Sequence, residues 1–511
     1  MGQVDPRVAR LSNTSFNLQN ATKVVEDICP LAGVLEPMEI KNSSVQWVLP
    51  PFNTFHWLLS TNPRMAKIHL GTKDGGVQDF WEGLKASNVG QEFWALHPWL
   101  GDRTPASLKY HLPVMVFDDS GPFSNTASTY VRVFYSLVGC GSDKQTRILL
   151  STGLTQQDLP DLSWGPILSD FERLAAPVPA GSWGAMLLFF GADLEYICNV
   201  LGLKHYNSTD GMCSLCLANS TGMVHNNYQK DAPWTKTFVD DRTFGLRARR
   251  PLHPVVEHGF FNRFTFRYDL LHMLDHHGLA SHVAANVLWT HLSGERECDA
   301  LPGENIEARL DFLNQDIKAY YRQQRVQNRL PVLKVSNIKS GEWPELKGNN
   351  TKAANTKALV PYILELQKRA VQLAPTQKNR HMLKVAESLM GAYNIFVGAN
   401  TFLSADEAAA LEKHLQKLGH HYQWLGVHAF QDEHLPRWKT VPKCHYVVGH
   451  LAWQAKLINP RWVQGYCSES MVGTLAEMYG KTATGPYHRT VQLATMTKYR
   501  MGMRLLWDPT L

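Results

Sequence analysis

Over roughly the first hundred residues apolar positions recur without a sustained period, which predicts an irregular N-terminal region with short helices, one of them over 77–85. From His111 the pattern sharpens. Residues 112–119 (LPVMVFDD) are an apolar run that stops on two acids, and Ser120-Gly121-Pro122 turns the chain, so a short strand ends there. Residues 129–138 (TYVRVFYSLV) are β-branched and aromatic and predict a second strand; 146–152 (TRILLST) predict a third. Neighbouring strands joined by modest loops suggest an antiparallel meander. Residues 164–175 have helical spacing, 183–191 (WGAMLLFFG) read as a strand buried on both faces, and Asp193 opens an amphipathic segment through Leu201.

Beyond about 220 the period lengthens. Helical spacing runs over 270–292, 306–327, 358–373, 381–397 and 405–418, with a Lys-, Asn- and Gly-rich surface loop expected over 335–356. Helices are expected again over 446–457 and 468–479. The chain therefore divides into an irregular region (1–105), the first part of a core (106–220), a mainly α-helical insertion (221–440) and a C-terminal part of the core (441–511). Strand, strand, strand, helix, strand, helix is the order of RNase H-like domains. The expected class is α/β, an RNase H-like mixed sheet with a large helical insertion before the last catalytic acid.

Composition narrows the classes. With 44% hydrophobic and 19% charged residues, the 511-residue chain can bury large cores. A formal charge of +6 is compatible with a polyanionic partner. Eight cysteines, mostly scattered, do not form a disulfide framework and fit a reducing compartment. Asn-x-Ser/Thr triplets, as at Asn13 and Asn219, carry little weight without a secretory leader, and none is evident. The most apolar run, 185–203, is interrupted by Asp193 and Glu195, so no membrane span is expected.

Chemistry enters with the acids. Phosphodiester cleavage by two metals needs carboxylates from distant segments converging on one point, where they hold ions ~3.5–4 Å apart. Asp118 and Asp119 end the first core strand and Asp193 follows the fourth, where such a design would place them. Acids at strand ends also cap turns and helices, and Asp193 could serve only as a helix N-terminal acid.

Four blocks carry a family resemblance. LPVMVFDDSGPFSN followed by YVRVFYSLVG resembles the opening of the catalytic domain in CACTA-type and Plavaka-like transposases. FFGADLEYICNVLGLKHYNSTDGMCSLC is similar to that family's second catalytic aspartate, with a helix and a Cys-x-x-Cys behind it. RYDLLHMLDHHGLASHVAANVL is similar to an Asp-x-x-His-containing helix of the insertion, and KCHYVVGHLAWQAKLINPRWVQGYCSESMVGTL to the C-terminal block with the last acid. The resemblance implies a DDE transposase that cuts and transfers DNA strands at transposon ends, using Mg²⁺ or Mn²⁺. It implies double-stranded DNA as partner, a nuclear location and a homo-oligomeric assembly. Carried over, Asp119 is the first acid with Asp118 as competitor, Asp193 the second, and Glu469 the third with Glu477 as fallback. Glu469, in YCSESMVG, departs from the family's usual neighbourhood for that acid. The alternative is a domesticated, inactive derivative that binds DNA or protein through the same scaffold.

Cys213-x-x-Cys216 is half of a zinc site, with His205 and His225 as candidate completing ligands; buried thiols are the plainer reading. His272, Asp275, His276, His277 and His282 offer a third reading, a metal-dependent phosphohydrolase, although the cluster lacks the Glu of His-Glu-x-x-His. In the resembling family His272 falls in a structural block, which implies a packing or DNA-facing role. Basic stretches with Arg247, Arg249 and Arg250, over 322–329, and with Lys498 and Arg500 are candidates for phosphate contacts. Trp234 and Trp462 are candidates for stacking on unpaired bases.

Overall fold

The computed structural model describes residues 36–40, 44–60, 63–71, 76–122, 124, 128–139, 146–154, 163–179, 182–203, 208, 211–239, 252–294, 300–348 and 351–482, together with 492, 495, 496 and 499. The N-terminal region holds more regular structure than its pattern predicts. An antiparallel hairpin, β1 (Glu36–Ile40) and β2 (Ser44–Val48), precedes helices α1 (Pro51–Ser60), α2 (Pro63–Leu70), α3 (Gly76–Ala86) and α4 (Gly90–Leu96). On α3, Val77, Phe80, Trp81 and Leu84 are buried at i, i+3, i+4 and i+7, one helix face against the core.

The main sheet has five strands in the order β5-β4-β3-β6-β7. Strands β3 (His111–Pro122), β4 (Ser128–Ser136) and β5 (Ile148–Leu154) form the antiparallel meander, and α5 (Trp164–Ala175) leads to β6 (Gly184–Ala192), which pairs parallel with β3. All nine residues of β6 are buried. That is why the run shows no alternation, since a strand covered on both faces has no solvent side. After α6 (Leu194–Asn199) comes β7 (Phe266–Tyr268), parallel to β6 and absent from the sequence-based expectation. Three residues are too few for a period to show. The class is mixed α/β with a five-stranded mixed sheet.

Five long helices follow: α7 (Leu279–Leu292), α8 (Ile306–Gln323), α9 (Ala353–Leu373), α10 (Gln377–Gly398) and α11 (Ala405–Gln431). The single helix expected over 270–292 is broken in two. A π-helical turn, Leu271–Asp275, ends at an extended His276, and His277 adopts φ 49° before α7 begins. Gly278 makes the break possible, because a Cβ there would lie 2.4 Å from the Met273 carbonyl oxygen. The loop expected over 335–356 is partly ordered, with a short helix Val335–Ile338 and buried Ile338 and Leu346. The helix expected to end at 418 continues to Gln431 through Gly419, whose missing side chain admits Val448. The last long helix, α12 (Tyr466–Thr482), packs back on β3 and β4. Among the described residues no helix is long and apolar enough to cross a membrane.

Candidate active site and a second metal-ligand set

Strand β3 does not stop at its two acids or turn at Ser120-Gly121-Pro122 as expected; it stays paired with β4 through Pro122, and Asp118 and Asp119 point to opposite faces, as strand alternation requires. Asp118 is fully buried and accepts from Arg132 Nε at 2.6 Å and from Tyr196 OH at 2.5 Å, with Arg132 also donating to Ser163. It belongs to a buried ion pair, so its candidacy as an alternate metal ligand is corrected. Asp119 faces the other way, into a cavity of about 690 Å³ lined also by Asp193, His272, Lys443 and Glu469. Its Oδ1 accepts from the Ser120 amide at 2.7 Å.

Helix α12 delivers Glu469 to the same place. Ligand atoms of Asp119, His272 and Glu469 all lie within 4.8 Å of one another. Among the described residues no lysine or arginine forms an ion pair with Asp119 or Glu469. Burial, the Glu469 side chain, and the negative charges of Glu469 and Asp193 hold the Asp119 carboxyl well above the usual carboxylate range, against the pull of His272. Burial also raises Glu469, as do the charges of Asp269 and Asp193, against the opposing hydrogen bond with the Asp119 side chain. Two carboxyls crowded together, with only the His272 imidazole set against them, form a site that gains from a cation.

His272 is positioned from behind. Its Nδ1 lies 2.6 Å from Oδ2 of Asp269, which is wholly buried, and its Nε2 lies 3.5 Å from Glu469 Oε1. Burial would lower the imidazole's pKa, but the hydrogen bond to Asp269 and the charges of Asp269, Asp119 and Asp193 raise it. Asp269 Oδ1 also accepts from the amides of Leu271 at 3.1 Å and Gly465 at 2.6 Å, tying the π-helical turn to the approach of α12. Gly465 is required by that contact, since a Cβ there would come within 2.6 Å of Asp269 Oδ2.

Asp193 occupies a different position. Its Oδ1 accepts from the Tyr196 amide at 2.6 Å and caps α6. It lines the cavity but is not in the 4.8 Å group of Asp119, His272 and Glu469. Glu477, two turns beyond Glu469, is exposed at the cavity's edge. Lys443, unforeseen in the sequence, lines the cavity and donates to the carbonyls of His276 and His277 at 3.2 Å each. A neighbouring cavity of about 430 Å³ shares Asp193, His272 and Lys443 with the first and reaches Trp343 and Lys439.

The histidine cluster expected as a phosphohydrolase centre does not converge. Asp275 accepts from two tyrosines, His277 pairs with Glu345 at 3.1 Å, His276 is exposed, and only His272 joins the acids.

A second group forms around the Cys-x-x-Cys. Cys213, Cys216, His445 and His450 are all buried and offer ligand atoms within 4.8 Å of one another. Cys213 Sγ lies 3.1 Å from His450 Nε2, Cys216 Sγ 3.3 Å from His445 Nε2, and the two Nε2 atoms are 3.2 Å apart. A tetrahedral zinc with bonds of about 2.0 to 2.3 Å separates its ligands by roughly 3.3 to 3.8 Å, so these three separations are slightly shorter than, and close to, those of a zinc site. Amides of Leu215 and Ala218 point at the two sulfurs, at 3.3 and 3.4 Å. Burial pushes the Cys213 thiol up, but its contacts with Cys216, His450 and His445 bring it well below the ordinary range, toward the thiolate a metal needs.

The ligand pair expected from sequence is thereby corrected. His225 is not in the group; its carbonyl oxygen, 2.9 Å from His445 Nδ1, fixes that imidazole's orientation instead. His205 lies outside the described residues. The missed ligands are separated by four residues, a spacing that an ordinary helix puts on different faces. A π-helical stretch, Tyr446–Leu451, makes up the difference, since its bonds join residues five apart.

Trp234 is buried and packs edge-on against His445 at 4.6 Å between ring centroids, so its expected role as a base-stacking surface is corrected. Trp462 is partly buried against the core. Arg247, Arg249, Arg250, Lys498 and Arg500 lie outside the described residues. No protein-family model and no curated protein matches the chain.

Proposed function

We propose that this protein is a divalent-metal-dependent enzyme that cleaves and transfers DNA strands, with an RNase H-like core of the kind found in CACTA-type and Plavaka-like transposases. The observation that carries the reading is the meeting of Asp119 and Glu469, 350 residues apart (469 minus 119), with His272 in one acidic pocket where no described lysine or arginine pairs with either acid. The strand order, with β3 central, three antiparallel strands and two parallel additions, supports the RNase H-like assignment.

The residues present fit Mg²⁺ or Mn²⁺. Asp119 and Glu469 supply hard oxygen ligands, Glu469 Oε1 is buried without a hydrogen-bond partner, and His272 adds a nitrogen that suits Mn²⁺ better than Mg²⁺. Bound there, such ions would activate an attacking oxygen and stabilise the leaving one. Asp269 keeps His272 Nδ1 occupied, so Nε2 faces the acids. Lys443, which lines both cavities, would meet a phosphate bound there. Zn²⁺ at Cys213, Cys216, His445 and His450 would be structural, because all four ligands come from the protein and none is exposed.

The test is nicking and strand transfer on DNA carrying the element's ends, with Mg²⁺ or Mn²⁺. Wild type should nick, and Asp119→Asn and Glu469→Gln should each lose more than ~100-fold, beyond what removing a mere partner of a ligand costs. Equal rates in wild type and variants would defeat the reading. A domesticated, non-catalytic derivative is the second reading, favoured by the use of Asp193 as a helix cap. It predicts DNA binding with no metal-dependent nicking.

A further inference from the structure

Asp275 is a buried carboxyl that the chemistry above does not use. It is 1% exposed and accepts from Tyr466 OH at 2.5 Å and from Tyr393 OH. Lys357 Nζ sits 5.3 and 5.8 Å from the centroids of the same two rings. The carboxyl is costly where it is, and burial pushes its pKa up to about 6. An apolar side chain of similar size would pack there without that cost.

Its neighbours give the cost a purpose. Asp275 closes the π-helical turn Leu271–Asp275 that carries His272. Tyr466 opens α12, and Glu469 lies in the first turn of that helix. Tyr393 belongs to α10, in the helical insertion. Asp269 ties the start of the turn to Gly465; Asp275 ties its end to Tyr466 and to the insertion. The segment bearing His272 is thus fixed at both ends to the segment bearing Glu469.

We propose that Asp275 is a positioning residue of the acidic centre, whose grip on Tyr466 and Tyr393 sets the separation of Glu469 from His272 and so tunes the affinity for a divalent cation. This rests on the reading that Asp119, His272 and Glu469 bind such a cation. Each tyrosine hydroxyl donates to its own carboxylate oxygen. In Asp275→Asn one hydroxyl would have to turn and accept from the amide N–H, a longer and weaker contact than the charge-assisted one it replaces.

The experiment is a Mn²⁺ titration of the full chain, following free Mn²⁺ by electron paramagnetic resonance, alongside thermal melts without added metal. Glu469→Gln should weaken binding more than ~100-fold, and Asp275→Asn and Tyr466→Phe about tenfold each, as expected for a residue behind a ligand. The double variant should weaken it by less than the product of the two singles, because Asp275 and Tyr466 act through a shared contact. Asp275→Asn should melt no lower than wild type at pH 7.5, so affinity falls while stability does not, which a merely structural role would not produce. If Asp275→Asn fails to fold, Tyr466→Phe decides. Wild-type affinity in Asp275→Asn and Tyr466→Phe, with loss in Glu469→Gln, overturns the positioning role and leaves the cation reading standing. Wild-type affinity in Glu469→Gln overturns both.

Discussion

Asp269 Oδ2 and His272 Nδ1 are 2.6 Å apart, and this contact decides which edge of the imidazole faces Asp119 and Glu469. Asp269→Asn would set an amide N–H against Nδ1. The ring would then carry its proton on Nε2, the atom aimed at the acids. The expected outcome is a 10- to 100-fold loss of Mn²⁺ affinity, read by calorimetric titration, with His272→Ala losing as much.

The protein should carry tightly held zinc. Elemental analysis of purified wild type is expected to find one equivalent, and Cys213→Ser or His450→Ala to find little. His225→Ala keeps the backbone carbonyl that orients His445, and should retain the metal. Retention by Cys213→Ser and loss by His225→Ala would reverse the assignment.

Asp118 and Asp119 are neighbours whose substitutions should separate completely. Asp118→Ala strands Arg132 in the core and should cost about 3–5 kcal/mol in chemical denaturation, with the metal affinity of the folded fraction intact. Asp119→Asn removes a repelled carboxyl. It should melt no lower than wild type in the absence of metal, yet abolish nicking.

His97 gives stability a pH dependence of defined sign. Burial lowers its pKa to about 3, even though a hydrogen bond to the Leu187 carbonyl opposes the shift. Unfolded, it takes a proton below about 6.5. Its contribution is therefore complete above pH 6.5 and is lost as pH falls toward the folded value, at up to about 1.4 kcal/mol per pH unit. His97→Gln can keep a donor for Leu187 without titrating. The stability difference between wild type and His97→Gln should be flat above pH 6.5 and move against wild type below it, in urea denaturation across pH 4.5 to 8.

The strands β3, β4 and β6 and helix α5 were legible because each is long enough to show its period; Asp193 follows from where the β6 run stops, whereas Asp118 and Asp119 mark only the end of an apolar run, since pairing with β4 carries β3 on to Pro122. Strand β7 was not legible, being three residues whose pairing comes from the edge of β6. The sequence named Cys213 and Cys216 but not their partners. His445 and His450 come together only because the helix there widens to a π turn, and no local pattern announces a π turn. Likewise the residues 270–292 have the composition of one helix, while packing divides them and turns His272 toward Glu469. Local period is written in the order of side chains and needs only neighbours to be read. The meeting of Asp119 with Glu469, the opposed fates of Asp118 and Asp119, and the capping role of Asp193 depend on which distant surfaces pack together. That choice is settled by the energy of the whole core, and only the tertiary structure records it.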